Sequence, residues 1–132
     1  MISSQTDLVA AARAAQARAY APYSGYRVGA ALEAEDGRVF TGCNVENASY
    51  SITCCAERVA LFSAIAAGAH RFRRMVVCAD GRTPYPCGAC RQALSEFAET
   101  LAVTVVGSDD VTFDFTVDGL LPHPFRFPGR PA

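Results

Sequence analysis

Two short segments of this chain carry residues whose types and spacing suit metal chemistry. One reads Cys54-Cys55-Ala56-Glu57-Arg58, the other Pro86-Cys87-Gly88-Ala89-Cys90. On a helix, positions three apart share a face, so the sulfurs of Cys87 and Cys90 can converge on one ion. Taken alone, that spacing suits a redox pair or half a structural zinc site equally well. Cys55 supplies a third thiolate if the two segments face each other across a sheet. Three protein ligands and one open position is the stoichiometry of catalytic zinc. Glu57 then has a role, because a carboxylate beside thiolates is poorly placed unless it takes a proton from the water at the open position and later delivers it to a substrate. Three thiolates also overcompensate a divalent ion. Helix N-termini aimed at the sulfurs, and a guanidinium from Arg58 bonded to a ligand sulfur, would offset the excess charge.

The remaining candidates read more plainly. Cys54 reads as a packing or spectator thiol, Cys43 and Cys78 as core fillers. His70 and His123 fall in loops outside the ligand set, and the basic stretch 70–74 reads as a solvated loop or subunit edge.

These residues need elements to hold them. Apolar positions Leu8, Ala11, Ala12, Ala15 and Ala19 recur at helical spacing over residues 6–20, with Thr6 or Asp7 as the cap and Pro22 as the stop. Residues 27–45 read as a hairpin turning at Asp36-Gly37. A second helix spans about 55–67 and ends at Gly68, suited to a left-handed cap. An apolar strand covers 74–80, and a loop, "GRTPYP", leads into a third helix over 87–101. Strands over 102–107 and 111–117 and a short helical turn near "DGLLP" follow, with 126–132 as a loose tail. This alternation predicts an α/β fold, a mixed sheet with helices on its faces, in a single domain over 1–132.

Composition narrows the function. With 51% apolar and 19% charged residues among 132, the chain is compact enough for a core without disulfide staples. A net charge of −1 lacks the footprint of a nucleic-acid binder, so no nucleic-acid partner is expected. No apolar run approaches the ~20 residues a bilayer requires, and no secretion signal opens the chain. A cytoplasmic, reducing setting follows, in which six cysteines suit metal chemistry better than disulfides.

Cys-Ala-Glu followed by Pro-Cys-x-x-Cys matches the three-cysteine signature of zinc-dependent nucleobase deaminases. The likeness goes further. "AYAPYSGYRVGAAL", "GCNVENASY", "CAERVALFSA" and "PCGACRQAL" closely resemble the homotetrameric cytidine deaminases in order and spacing, and "GLLPHPF" resembles their terminal stretch. The resemblance implies a three-layer α/β/α sandwich with a five-stranded mixed sheet and one Zn2+ per chain. It implies hydrolysis of cytidine and 2'-deoxycytidine to the uridines with release of ammonia, a step of pyrimidine salvage.

Carried over by position, the resemblance implies Cys55, Cys87 and Cys90 as zinc ligands and Glu57 as the proton carrier. Asn44 and Glu46 resemble the residues that hold the ribose hydroxyls. Tyr26 stands at an aromatic position near the base where phenylalanine is more usual. The backbone N–H of Ala56 resembles the group that reads the pyrimidine carbonyl. Arg58 matches an arginine set against ligand sulfur, and Phe125 matches a phenylalanine that enters a neighbouring subunit's site in a homotetramer. Ser51, Cys54 and Tyr85 depart from the family pattern; Tyr85 adds bulk near the base pocket and bears on substrate range, not on metal or proton chemistry.

Overall fold

The structure, a computed structural model, describes residues 3–129. The N-terminal helix α1 (Gln5–Gln16) is capped by Ser4, not by Thr6 or Asp7. Ser4 Oγ accepts from the Asp7 N–H and Asp7 Oδ2 accepts from the Ser4 N–H, both at 3.1 Å. Asp7 is thus the reciprocal member of a capping box and sits inside the first turn. The helix also ends four residues before the expected point. Arg18 and Ala19 bond back to Ala15 and Gln16, and the Tyr20 N–H then donates to the Asn44 carbonyl at 3.0 Å. A bond to a distant strand end displaces the last helical turn.

A hairpin follows, β1 (Val28–Ala34) with β2 (Val39–Cys43), turning at Gly37 with φ +93°. After a short 3-10 turn at Tyr50–Ile52 come α2 (Ala56–Ala66), β3 (Phe72–Ala79), α3 (Gly88–Phe97), β4 (Ala102–Val106), β5 (Thr112–Thr116) and the short α4 (Val117–Leu120). Strand β3 starts before residue 74 because Phe72 is buried in the core and Arg73 Nε lies 3.4 Å from the fully buried Glu33 carboxylate. The basic stretch is therefore partly strand, not loop. Helix α3 stops at Phe97 so that Leu101 can turn into the core just ahead of β4. Of the tail expected to be loose, Arg126 donates to Glu99 at 2.6 Å and to the Ser95 carbonyl at 3.1 Å, while residues 130–132 lie outside the described residues.

The five strands form one sheet in the order β2-β1-β3-β4-β5. Only the β3–β4 pair is parallel, as expected for strands joined through a crossover helix. Alternation along the strands divides the core. Leu32, Met75, Val77, Val103 and Val105 point to the face covered by α2 and α3. Ala31, Val76, Cys78 and Val106 point to the face covered by Leu8 and Ala12 of α1. The result is the α/β/α sandwich with a five-stranded mixed sheet. Among the described residues no helix is long and apolar enough to cross a membrane.

Two strand glycines let the helices press down onto the sheet. A Cβ at Gly29 would sit 2.0 Å from the Ala12 carbonyl oxygen of α1. At Gly42 it would sit 2.4 Å from the Ala60 nitrogen and 2.5 Å from the Ala56 carbonyl oxygen of α2. Gly42 therefore sets how deeply the first turn of α2 seats on the sheet. Gly42→Ala is expected to destabilise the fold by about 3 kcal/mol, the upper range for an overpacked site, and to lower zinc content as α2 lifts. Urea unfolding with metal analysis on the same sample checks both.

Candidate active site

The sulfurs meet because α2 and α3 lie on the same face of the sheet and start at the same end. They stand side by side, not across the sheet from one another. Cys55 is the N-cap of α2 and Cys87 the N-cap of α3. Ser or Asp at an N-cap would ordinarily bond the helix N–H groups. Neither cysteine makes that bond, so both sulfurs are left to other work at the positive ends of two helices. Cys90 follows in the first turn of α3, fully buried.

The three Sγ atoms lie within 4.8 Å of one another, and those of Cys55 and Cys87 are 3.8 Å apart. A tetrahedral ion with Zn–S bonds of about 2.3 Å sets its sulfurs about 3.8 Å apart, so the donor set fits zinc in spacing as well as softness. All six cysteines are free thiols. Among the described residues the ligand group comprises these three alone; Cys54, His70 and His123 stay outside it. No fourth His, Cys, Asp or Glu joins the group among the described residues, so an ion held there would keep one position for water.

Charge around the sulfurs is graded. Arg58 Nη2 donates to Cys55 Sγ at 3.5 Å, and that bond, with further attraction to Cys90, holds the guanidinium above its ordinary pKa. Cys55 is pulled down to about 5, first by a hydrogen bond from the Cys90 thiol and then by those with Arg58 and Cys87 against burial. The same bond and burial push Cys90 up. Glu57 is only 4% exposed and is pushed up to about 7, chiefly by burial and further by the Cys55 charge. A carboxyl poised near neutrality can both accept and return a proton.

A cleft of about 330 Å³ opens over this centre. Cys55, Ala56, Glu57 and Cys87 line it from the metal side, and Tyr26, Asn44 and Glu46 from the side of the hairpin. Ala56 is the first residue of α2, so its N–H has no acceptor within the helix. Asn44 and Glu46 are also structural. Asn44 Oδ1 accepts from the Val28 N–H at 2.9 Å and its Nδ2 donates to the Tyr26 carbonyl at 2.8 Å. Glu46 accepts from the Tyr23 and Ser24 N–H groups and from the Ser24 hydroxyl, which pulls its carboxyl below the usual range. Phe125 is absent from the lining: it is 67% exposed, and its backbone is gripped by Gln92 through two 2.9 Å bonds.

Ser24, Thr53, Arg82 and Pro84 also line the cleft, and the sequence analysis assigns a role to none of them. They sit in loops, where no periodicity reveals a facing side; Ser24 lies within the stretch "AYAPYSGYRVGAAL", and Arg82 and Pro84 shortly precede "PCGAC". Tyr85 lines the cleft but leans away from it, its ring 5.9 Å from Phe115 and 6.4 Å from Phe113. Cys54 lines it too, its thiol pushed up by burial.

Three thiolates with an open corner and a buried acid beside them, on this sandwich, define a zinc-dependent hydrolase. Residues 2–106 match the family model for the cytidine and deoxycytidylate deaminase zinc-binding region. The chain belongs to that family and carries one zinc per chain. It is 45% identical over 120 residues to a cytidine deaminase of Sporosarcina psychrophila, covering 89% of this chain and 88% of that protein. A cytidine deaminase of Halalkalibacterium halodurans is 46% identical over 117 residues, covering 85% and 88%. The crystal structure of a cytidine deaminase from Burkholderia pseudomallei superposes with a TM-score of 0.90 at 46% identity, covering 93% of this chain and all of that one.

The ligand set has a direct test in elemental analysis. Cys87→Ala is expected to reduce zinc from about one per chain to below about a tenth, since two sulfurs hold the ion weakly. Cys54→Ala is expected to keep the full complement.

Proposed function

We propose that this protein hydrolyses cytidine and 2'-deoxycytidine to uridine and 2'-deoxyuridine, releasing ammonia, in cytoplasmic pyrimidine salvage. The observation that carries the reading is Glu57: a carboxyl only 4% exposed that lines the same cleft as the zinc-fitting sulfurs Cys55 and Cys87. A metal that only stapled two helices would need a fourth ligand and would leave this acid without a function.

When bound, zinc supplies Lewis acidity that brings the pKa of a coordinated water from its bulk value to about 7. The chain's own residues supply the rest. Glu57 takes a proton from the attacking water as its oxygen bonds to the amine-bearing ring carbon, and gives that proton to the adjacent ring nitrogen. It then carries the remaining hydroxyl proton to the amine, whose bond to carbon breaks as ammonia leaves. The Ala56 N–H donates to the pyrimidine carbonyl. Asn44 and Glu46 keep capacity for the ribose hydroxyls: the amide has one hydrogen and one lone pair unused, the carboxylate further lone pairs. Arg58 withdraws charge from Cys55 and so keeps the ion acidic. The free nucleoside needs no basic channel, in keeping with a chain of net charge −1.

Phe125 supports a further part of the reading, a homotetramer with shared sites. An aromatic ring held outward by a clamped backbone has its natural place in a neighbouring chain's cleft. Sedimentation equilibrium is expected to give four times the 14.0 kDa chain mass. Phe125→Ala is expected to raise KM about tenfold with zinc content unchanged, the loss of one buried aromatic contact.

The central test is Glu57→Gln, with absorbance loss followed on cytidine, deoxycytidine, cytosine and a cytosine oligonucleotide. Zinc is expected to stay bound while nucleoside turnover falls at least about a thousandfold, the scale of proton-transfer catalysis. Turnover by wild-type protein on the oligonucleotide alone would sink the nucleoside reading.

A further inference from the structure

Position 26 carries a hydroxyl that a phenylalanine would lack, and the hydroxyl is in use. Tyr26 Oη donates to the Arg82 carbonyl oxygen at 2.7 Å. The Arg82 guanidinium folds back over the Tyr26 ring, its central carbon 4.5 Å from the ring centroid, within range for a cation–π contact. The two residues therefore grip each other twice, once through backbone and once through side chain. Tyr26 is itself anchored: its carbonyl accepts from Asn44 Nδ2 and its N–H donates to Ser24 Oγ at 3.0 Å. One end of this clasp is thus fixed to the hairpin.

The other end lies in the loop 80–86, which joins β3 to Cys87 and turns at Gly81 with φ +81°. At its far side Tyr85 leans on Phe113 and Phe115 of β5, and the Pro86 carbonyl accepts from Arg91 Nε at 2.8 Å. The tip between these supports is held to the body of the protein by the clasp. Both clasp residues line the cleft that contains Glu57. Cys87, at the end of the loop, is the exposed member of the sulfur set, where Cys55 is half-buried and Cys90 buried. Ligand exchange with solvent or a chelator starts most easily there.

We propose that Tyr26 and Arg82 form a latch that holds the 80–86 loop over the cleft, narrowing the substrate pocket and slowing the escape of zinc past Cys87. The substrate half of this inference rests on the proposed deaminase function; the metal half rests on the sulfur site alone. The two residues act as positioning residues, and the Arg91 support keeps the effect on zinc moderate.

Two substitutions separate the two grips. Tyr26→Phe removes the hydroxyl and keeps the ring; Arg82→Ala removes the guanidinium and keeps the carbonyl acceptor. Each is expected to raise KM for cytidine about fivefold, the scale of one lost hydrogen bond for Tyr26→Phe and of one lost cation–π contact for Arg82→Ala, with a smaller fall in kcat. Each is expected to speed zinc transfer to a colorimetric chelator about threefold. In the double variant the effects should multiply to less than the product of the singles, because one grip holds poorly without the other. Wild-type KM and wild-type zinc-transfer rates in both single variants would overturn the latch. So would a fall in kcat and melting temperature with KM and zinc transfer unmoved, the mark of a merely structural contact. If the wild type fails to deaminate cytidine, the functional reading falls, and the zinc-transfer measurement still decides the latch.

Discussion

Three sulfurs within 4.8 Å of one another are a concentrated negative charge once ionised, and the site depends on making that concentration tolerable. The hydrogen bond between Cys55 and Cys90 pulls the Cys55 thiol down and pushes the Cys90 thiol up. The compensation is built into the scaffold at two levels. Two helices point their N-termini at the sulfurs, and Arg58 donates to Cys55. A divalent ion completes the balance. Burial, and after it the Cys55 charge, push the Glu57 carboxyl up beside this centre.

Helix α3 connects this charge centre to the rest of the surface. Its first turn holds Cys90, its second donates from Arg91 to the carbonyls of Pro86 and Leu120, and Gln92 grips the backbone of Phe125. Further along, Ser95 accepts from Arg126. One short helix thereby fixes the loop that delivers a metal ligand and the segment that displays an exposed aromatic ring. A shift of α3 would be felt at both ends, because hydrogen bonds to backbone carbonyls leave those segments little independent freedom.

Economy of the same kind marks the opposite wall of the cleft. Asn44 closes the start of the hairpin and Glu46 organises the turn at Tyr23 and Ser24, yet each retains bonding capacity toward the cleft. Groups already pinned by the fold lose little freedom when they bind a ligand, which is the physical advantage of using scaffold residues as contacts.

Much of the site's chemistry was legible in the sequence. Cysteine at two helix starts, a glutamate two residues after Cys55, Asp36-Gly37 at the hairpin and Gly68 after α2 are local signals, and local signals are governed by interactions a few residues long. Helix ends are less legible: Tyr20 bonds to Asn44 and Leu101 turns into the core, long-range contacts that outweigh one more helical turn. The tertiary structure alone decided that α2 and α3 share one face, that Arg82 folds over Tyr26, and that Phe125 is held outward. These pairings join segments far apart along the chain, and their energy comes from how the whole sheet and both helix layers pack, which no local window contains.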